Sequence, residues 1–136
     1  MTGKFKQKLQ TIKQIIGIGK PKRKISLYDV IRDETYVVPF KAPFKDECSI
    51  GRSRSNDVVI PQAHVSMQVS RKHCVIYQDF KNPEKPPSIM DCNSLEGTYV
   101  RGKQIKGDMR ASLFDGDEIE LAEYYRLIIN IDEGKK

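Results

Sequence analysis

Two arginines and a serine supply side chains that could bind a phosphate group. Arg52 follows Gly51, and Ser70 and Arg71 stand side by side further along the chain. A phosphate monoester carries close to two negative charges near neutral pH, and proteins capture it with converging donors that face no opposing carboxylate. Guanidinium forks and a hydroxyl meet that requirement. We therefore expect these three side chains to bind an anion if the fold brings them together.

Motifs for catalysis and metal binding are missing from the sequence. The chain has no P-loop, no GxSxG elbow and no HExxH helix, and no Cys/His pairing suggests a nucleophile. The acidic residues near the C-terminus lack the EF-hand spacing, and the spacing of His64 and His73 predicts no metal pair. We predict a protein that is not an enzyme and needs no cofactor, metal or small-molecule substrate.

Cysteine usage and hydropathy bear on the compartment. Cys48, Cys74 and Cys92 lack a CxxC spacing, which predicts ordinary buried thiols in a reducing environment. No apolar run approaches the length of a membrane-spanning helix, and the N-terminus lacks the core of a signal peptide. These features predict an intracellular protein, cytoplasmic or nuclear.

Positive charge is concentrated at the N-terminus. The chain has a formal charge of +6, but residues 1–24 hold eight Lys/Arg and no acid, so residues 25–136 carry about −2. Within this tail, Phe5, Leu9, Ile12 and Ile16 would share one face of a helix. Because so short a helix is marginal by itself, a solvated terminus stands beside three alternatives: docking on the folded domain, a partner's groove or an anionic surface.

From residue 25 onward the pattern is one of short strands. Gly, Pro and Asx residues interrupt runs that are rich in β-branched and aromatic side chains. The predicted strands are 25–31, 35–40, 57–60, 74–77, 88–92, 98–100, 118–121 and 125–131. Many short strands joined by regular turns predict an all-β sandwich or barrel.

Four short motifs occur in a fixed order. They are SIGRS at 49–53, SRKHC at 70–74, SLEGT at 94–98 and RG at 101–102, with NDVVI at 56–60 and LFDGDEI at 113–119 completing the series. This series resembles the forkhead-associated (FHA) domain over residues 25–132. The resemblance implies a β-sandwich of two twisted, mostly antiparallel sheets that binds phosphothreonine in partner proteins. It leaves 1–24 and 133–136 as tails.

The resemblance also assigns roles to individual residues. It implies that Arg52 and Ser70 contact the phosphate and that Arg71 adds charge or a backbone donor. Residues that support the binding loops would be Gly51, His73, Gly97 and Thr98. In the segment 61–69, His64 and Gln68 are candidates for contacts with residues C-terminal to the phosphothreonine, although a plain surface linker would also account for them.

Three positions on the peptide side depart from the family pattern. Leu95 stands where binding members often have a small or hydroxylated residue, Glu96 replaces an asparagine, and Arg101 replaces a second asparagine. An ionised glutamate can accept hydrogen bonds but cannot donate them. At roughly 6 to 8 Å from a phosphate its charge would cost about 2 to 3 kcal/mol before salt screening. Arg101 is expected to lie on the same turn, where it could neutralise Glu96.

These observations predict an adaptor that binds phosphothreonine peptides in signalling or complex assembly, with the basic tail as a second contact. One alternative keeps the fold and binds a protein partner without phosphate. Another assigns the main role to the tail, which would bind nucleic acid or an anionic membrane.

Overall fold

The computed structural model describes residues 23–134, which form two β-sheets. The strands in chain order are β1 (Lys24–Asp29), β2 (Glu34–Val37), β3 (Glu47–Gly51), β4 (Val58–Val59), β5 (Cys74–Tyr77), β6 (Ser88–Asp91), β7 (Thr98–Val100), β8 (Lys103–Ile105), β9 (Arg110–Ser112), β10 (Glu118–Leu121) and β11 (Tyr125–Asp132). A 3₁₀ helix (His64–Ser66) lies between β4 and β5.

One sheet has six strands in the order β2-β1-β11-β10-β7-β8, and the other has five in the order β4-β3-β5-β6-β9. All pairings are antiparallel except that of β3 with β4. The prediction of an all-β sandwich with mostly antiparallel sheets is confirmed.

Alternating side chains from both sheets form a single hydrophobic core. In β1, Ile25 and Leu27 point inward, and in β11 Leu127 and Ile129 do the same. From the other sheet, Ile50, Ile76 and Ile89 join the same cluster. Burying a side chain of this size contributes about 1.5 to 3 kcal/mol, so the core can hold the strand ends that carry the loops.

A buried carboxylate ties the core to one end of the sandwich. Asp29 is fully buried and accepts hydrogen bonds from the hydroxyls of Tyr36 (2.8 Å) and Tyr125 and from the amides of Ile31 and Arg32 (both 3.0 Å). Four donors satisfy the carboxylate and offset much of the cost of burying it. The network fixes the β1–β2 turn against the start of β11.

The bounds of the eight predicted strands agree with the structure to within three residues. Strands 74–77, 98–100 and 118–121 are as predicted, and the other five predicted strands have shifted bounds. The strands β3, β8 and β9 were not predicted. They are short or polar, and they are strands because a neighbour pairs with them, which a local pattern does not reveal.

The cysteines are free thiols within this fold. Cys48 and Cys74 are buried, whereas Cys92 is only half-buried, which corrects the prediction of three buried thiols. Burial raises the pKa of Cys48 to about 12 and raises the pKa of Cys92 as well. A raised pKa disfavours the thiolate, so these groups are poor nucleophiles.

Two negative findings apply to the described part of the chain. No helix there is long and apolar enough to cross a membrane. No group of His, Cys, Asp and Glu side chains within residues 23–134 has the arrangement of a metal site. The helical pattern predicted at Phe5, Leu9, Ile12 and Ile16 lies outside the described residues.

Candidate functional site

Three loops meet at one end of the sandwich, which we call the loop end. They are the segments that follow β3 (52–57), precede β5 (60–73) and precede β7 (92–97). Ile50 pairs with Cys74 across β3 and β5, so the first two loops emerge side by side. The third connects β6 of the same sheet to β7 of the other sheet, and it joins the first two loops through a hydrogen bond that His73 donates to the Gly97 carbonyl.

Arg52 is held by its backbone and by one side-chain nitrogen. Its amide donates to the Ser70 carbonyl at 3.1 Å, and its Nε donates to the Val69 carbonyl. The two terminal nitrogens form no hydrogen bond within residues 23–134. The guanidinium group is therefore fixed in direction while its terminal donors are available to an anion, which is the preorganised state that anion capture favours.

The Ser70 side chain connects two loops. Its hydroxyl oxygen accepts the amide of Leu95 at 3.1 Å, and its own hydrogen has no acceptor among the described residues. A hydroxyl has one donor and two acceptor positions, so this arrangement leaves the donor for a ligand. Ser70 thus presents an O–H at the junction of the loops that also carry Arg52 and Leu95.

His73 braces these loops from inside the domain. The ring is fully buried; Nδ1 accepts the Ser70 amide at 3.0 Å, so Nε2 carries the hydrogen and donates to the Gly97 carbonyl at 2.7 Å. Burial lowers the pKa of His73 below its ordinary value of 6.5, against smaller opposing effects of the Gly97 carbonyl and Asp91. The neutral ring matches both bonds, whereas a proton on Nδ1 would face the Ser70 N–H.

Gly51 and Asn56 hold the first two loops together. A Cβ on Gly51 would lie 2.1 Å from the Arg71 carbonyl oxygen, so only glycine allows this approach. The Asn56 side-chain amide donates to the same carbonyl and, at 2.9 Å, to that of Ser53. The Ser53 amide donates to the Arg71 carbonyl at 3.0 Å. Backbone and side-chain bonds together fix where Arg71 leaves its loop.

An open cleft lies beside these loops, and three arginines line it. The lining residues are Arg52, Ser53, Arg54, Val59, Pro61, Gln62 and Arg71. None of them is acidic. The nearby Asp57 instead pairs with Lys45 at 2.8 Å and accepts the Ser49 amide at 2.9 Å. We call this surface the arginine cleft. Its charge suits an anion with more than one negative charge.

The loop at 92–97 is organised around Asp91. This carboxylate accepts the Ser94 amide and hydroxyl and the Thr98 hydroxyl, at 3.0, 2.5 and 2.6 Å. The Ser94 hydroxyl oxygen in turn accepts the Gly97 amide at 2.9 Å. Gly97 has φ +93°, a value that L side chains rarely adopt. These contacts set the path of the backbone just before β7.

The same loop projects two side chains that make few contacts. Leu95 is 87% exposed and Glu96 is exposed, and the Glu96 carboxylate forms no ion pair with any residue in 23–134. We call these two residues the Leu95–Glu96 lip. Its backbone is bound to Ser70, so the lip adjoins the phosphate-binding candidates while its side chains remain available to a ligand.

Arg101 lies away from this lip. It follows β7, whereas Glu96 precedes that strand, so the two residues lie at opposite ends of β7. The Arg101 guanidinium pairs with Asp117, donates to the Ser112 carbonyl at 3.3 Å and stacks on Phe114. The expected pairing of Arg101 with Glu96 is therefore wrong, and the position of Arg101 gives no support for a peptide contact.

The remaining predicted residues are at the surface. His64 and Gln68 are both exposed on the segment between β4 and β5, and neither forms a side-chain hydrogen bond within the described range. The predicted contacts of both residues with a peptide stay predictions. Arg23 lies at the far end, where it pairs with Glu133 and donates to Gln78. Arg23 and Lys24, the described residues of the basic tail, therefore lie at the end of the sandwich opposite the loops.

Three contributors to the site were not predicted: Arg54, Asn56 and Asp91. Arg54 sits in an SRS segment that has the composition of an ordinary turn. Asn56 belongs to the NDVVI motif, but its contacts reach the Arg71 loop across 15 positions of sequence. Asp91 reads as the end of a strand. Only the contacts in three dimensions assign them to the site.

Comparisons with known proteins agree with the geometry. The family model of the FHA domain matches residues 48–122. No curated protein sequence matches the chain. A solved FHA structure, from a study of phosphothreonine-dependent FHA domain interactions, is 24% identical, with a TM-score of 0.63 over 80% of this chain and 97% of that one.

Two further structures contain bound peptides. The MEK1 FHA domain in complex with a HOP1 phosphothreonine peptide is 26% identical, with a TM-score of 0.60 over 79% of this chain and 96% of that one. The N-terminal FHA domain of Rad53p from S. cerevisiae with a phosphothreonine peptide is 18% identical, with a TM-score of 0.65 over 80% and 94%.

The family match spans more than half of the chain, and the sandwich and the braced loops agree with it. FHA domains are interaction modules, so the matched residues form a non-catalytic binding domain. The chain belongs to the FHA domain family.

Proposed function

We propose that the chain binds phosphothreonine-containing segments of partner proteins through Arg52, Ser70 and Arg71. The observation that carries this proposal is the state of Arg52. Its Nε is anchored to the Val69 carbonyl while its terminal nitrogens are available, beside a Ser70 hydroxyl with an available donor. A fixed guanidinium next to a free O–H is suited to a tetrahedral oxyanion.

Charge supports a phosphate over a neutral side chain. Arg52, Arg54 and Arg71 line a cleft without a carboxylate, and a phosphothreonine brings about −1.5 to −2 charges near pH 7. An unphosphorylated threonine would leave the arginines without a partner and gain little from the Ser70 donor. Binding should therefore depend strongly on phosphorylation.

Leu95 gives a reason to favour threonine over serine. Its exposed side chain follows directly from the amide that binds Ser70, so it adjoins the proposed phosphate position. The γ-methyl group of threonine could pack on it, at a gain of about 0.8 kcal/mol for one buried methyl-sized group. The peptides bound to the MEK1 and Rad53p FHA domains contain phosphothreonine as well.

The test is a selection from an oriented phosphothreonine library, followed by affinity measurements on the best peptide and its unphosphorylated twin. We expect the phosphorylated peptide to bind at least about 30-fold more tightly, because charge-assisted bonds from two groups are lost without phosphate. Arg52→Ala should remove most of this difference. Arg126→Ala, which changes an exposed arginine on β11, is the matched control. Equal binding by Arg52→Ala would contradict the assignment.

One observation favours a second candidate, a contact with a protein partner that does not need phosphate. The Leu95–Glu96 lip combines an apolar side chain that is 87% exposed with a carboxylate that pairs with no residue in 23–134, which is unusual next to an anion site. Under this alternative the unphosphorylated peptide or partner binds as well as the phosphorylated one, and Glu96→Asn weakens binding.

The cellular compartment and the process in which this binding takes place are also part of the proposal. Free thiols at Cys48, Cys74 and Cys92 suit a reducing compartment, so we place the protein inside the cell, in signalling or complex assembly. A second contact through the basic tail stays a prediction. Removal of residues 1–22 followed by the same affinity measurement tests it: an unchanged affinity at low salt would exclude a contribution from the tail.

A further inference from the structure

We infer that the preferred phosphothreonine segment carries a second anionic side chain, and that Arg54 binds it. This inference rests on the proposed function and names the chemistry of the partner more closely. The second anion is either a carboxylate or another phosphate. It would lie on the Arg54 side of the phosphothreonine and not on the Glu96 side.

Arg54 is held at the edge of the arginine cleft by its turn. The Asn56 amide donates to the Ser53 carbonyl at 3.1 Å, which closes a turn with Arg54 in its second position. That turn is fixed to the next loop, since Ser53 donates to the Arg71 carbonyl and the Asn56 side chain donates to it too. The backbone of Arg54 is thus set by the same bonds that set Arg71.

The Arg54 side chain is available to a ligand. It is exposed, and it forms neither an ion pair nor a hydrogen bond with any residue from 23 to 134. Its nearest acidic neighbour in sequence, Asp57, is occupied by Lys45 and by the Ser49 amide and hydroxyl. An exposed arginine that lines a cleft, with the local carboxylate held elsewhere, is suited to an anion from outside the chain.

The charges of the cleft exceed those of a single phosphate. Arg52, Arg54 and Arg71 bring three positive charges and the lining brings no negative one, whereas phosphothreonine brings about −1.5 to −2. At least one positive charge remains without a partner after the first phosphate binds. Since an extended peptide advances about 3.3 Å per residue, a residue close to the phosphothreonine can bring the second charge to Arg54.

The opposite side of the site selects against a second anion. Glu96 is exposed on the lip that binds Ser70 and forms no ion pair within the described residues, so an acidic residue of the peptide there would meet a like charge. The arginine cleft, which Arg54 lines, and the lip, which carries Glu96 and does not line the cleft, therefore differ in the sign of their charge. A peptide that carries its acid only on the Arg54 side satisfies both.

The experiment scans a second charge along a phosphothreonine peptide obtained from the library. At each of the three positions before and after the phosphothreonine, one peptide has glutamate, one has phosphoserine, one has lysine and one has alanine. Relative to alanine, we expect glutamate to improve affinity about two- to fivefold and phosphoserine about five- to twentyfold at adjacent positions on one side only. The two anion arms distinguish a carboxylate ligand from a second phosphate.

Charge reversal identifies the residue. The ratio of affinities for the glutamate and alanine peptides should fall to about 1 in Arg54→Ala, and Arg54→Glu should prefer lysine at the same position. Arg54→Lys should keep part of the ratio, and Arg126→Ala all of it. The gain should shrink at high salt, because an exposed pair is screened.

The outcomes separate this inference from the proposed function. If no phosphothreonine peptide binds, the proposed function fails. If phosphothreonine peptides bind but no position shows a gain, or if the gain persists in Arg54→Ala and Arg54→Glu, the second anion site is overturned. A preference that reverses from glutamate to lysine in Arg54→Glu supports the second anion site. The affinity of each variant for the alanine peptide verifies that the variant is folded.

Discussion

The arginine cleft and the Leu95–Glu96 lip share one scaffold but present opposite chemistry. Both are fixed through Ser70: Arg52 binds its carbonyl and Leu95 binds its hydroxyl. The lining of the cleft offers three guanidinium groups and no acid, whereas the lip offers an apolar side chain and a carboxylate without an ion pair in the described part of the chain. Backbone bonds set the shape of the site on both sides, so its selectivity depends on a few exposed side chains.

The largest loss of stability should come from a substitution at Gly51, where the loops that carry Arg52 and Arg71 approach most closely. In Gly51→Ala the new methyl group would lie 2.1 Å from the Arg71 carbonyl oxygen, which forces the two loops apart. We expect a loss of about 3 kcal/mol or more in the free energy of unfolding, measured in urea. Gly102→Ala is the control: nothing lies within 4 Å, and only its φ of +79° resists the change, at about 1 kcal/mol. Equal losses would contradict the close approach.

His73 connects the cleft to the lip, and its charge state offers a test by pH. The pKa of His73 is lower in the folded protein than its ordinary value of 6.5. As the pH falls, His73 is therefore protonated in the unfolded chain before it is protonated in the folded protein. The contribution of neutral His73 to the free energy of unfolding is complete above pH 6.5. It falls as the pH decreases through 6.5 and is lost below the folded-state pKa. Urea unfolding between pH 7.5 and 5.5 measures this decline. His73→Gln cannot take up that proton and should show a flatter profile; identical slopes would refute the interpretation.

Glu96 is the residue that sets the lip apart from the cleft. Glu96→Asn removes a like charge near the phosphate and restores a donor. The unscreened repulsion of about 2 to 3 kcal/mol is reduced for an exposed carboxylate, so we expect affinity for the phosphopeptide to rise about three- to tenfold. Titration calorimetry measures it. An unchanged or weaker affinity would mean that Glu96 is not a handicap.

The smallest effect is expected at Arg101, outside both regions. Arg101→Asn loses the pair with Asp117, worth about 0.3 to 1 kcal/mol, and relieves a φ of +51° that asparagine tolerates better. These changes nearly cancel, so unfolding free energy should shift by less than about 0.5 kcal/mol. Phosphopeptide affinity should change by less than about twofold. A large loss of phosphopeptide affinity would instead support the predicted contact of Arg101 with the peptide.

The sequence predicted most of the fold and the position of the phosphate candidates. Strands with strong alternation, such as 118–121, were recognisable from local pattern alone. Contacts between distant segments were not, because nothing near Asn56 or Asp91 in the sequence indicates which backbone groups they bind. The prediction that Arg101 pairs with Glu96 was wrong for the same reason. The two residues are close in sequence, but the three-residue strand β7 separates them.

The most direct test of phosphate recognition is an NMR titration of the ¹⁵N-labelled protein with a phosphothreonine peptide and its unphosphorylated twin. The account predicts that only the phosphorylated peptide shifts amide signals, and that the largest shifts lie at Arg52, Ser70, Arg71 and Leu95. Shifts of equal size with both peptides, or shifts concentrated at the end of the sandwich that carries Arg23, would contradict it.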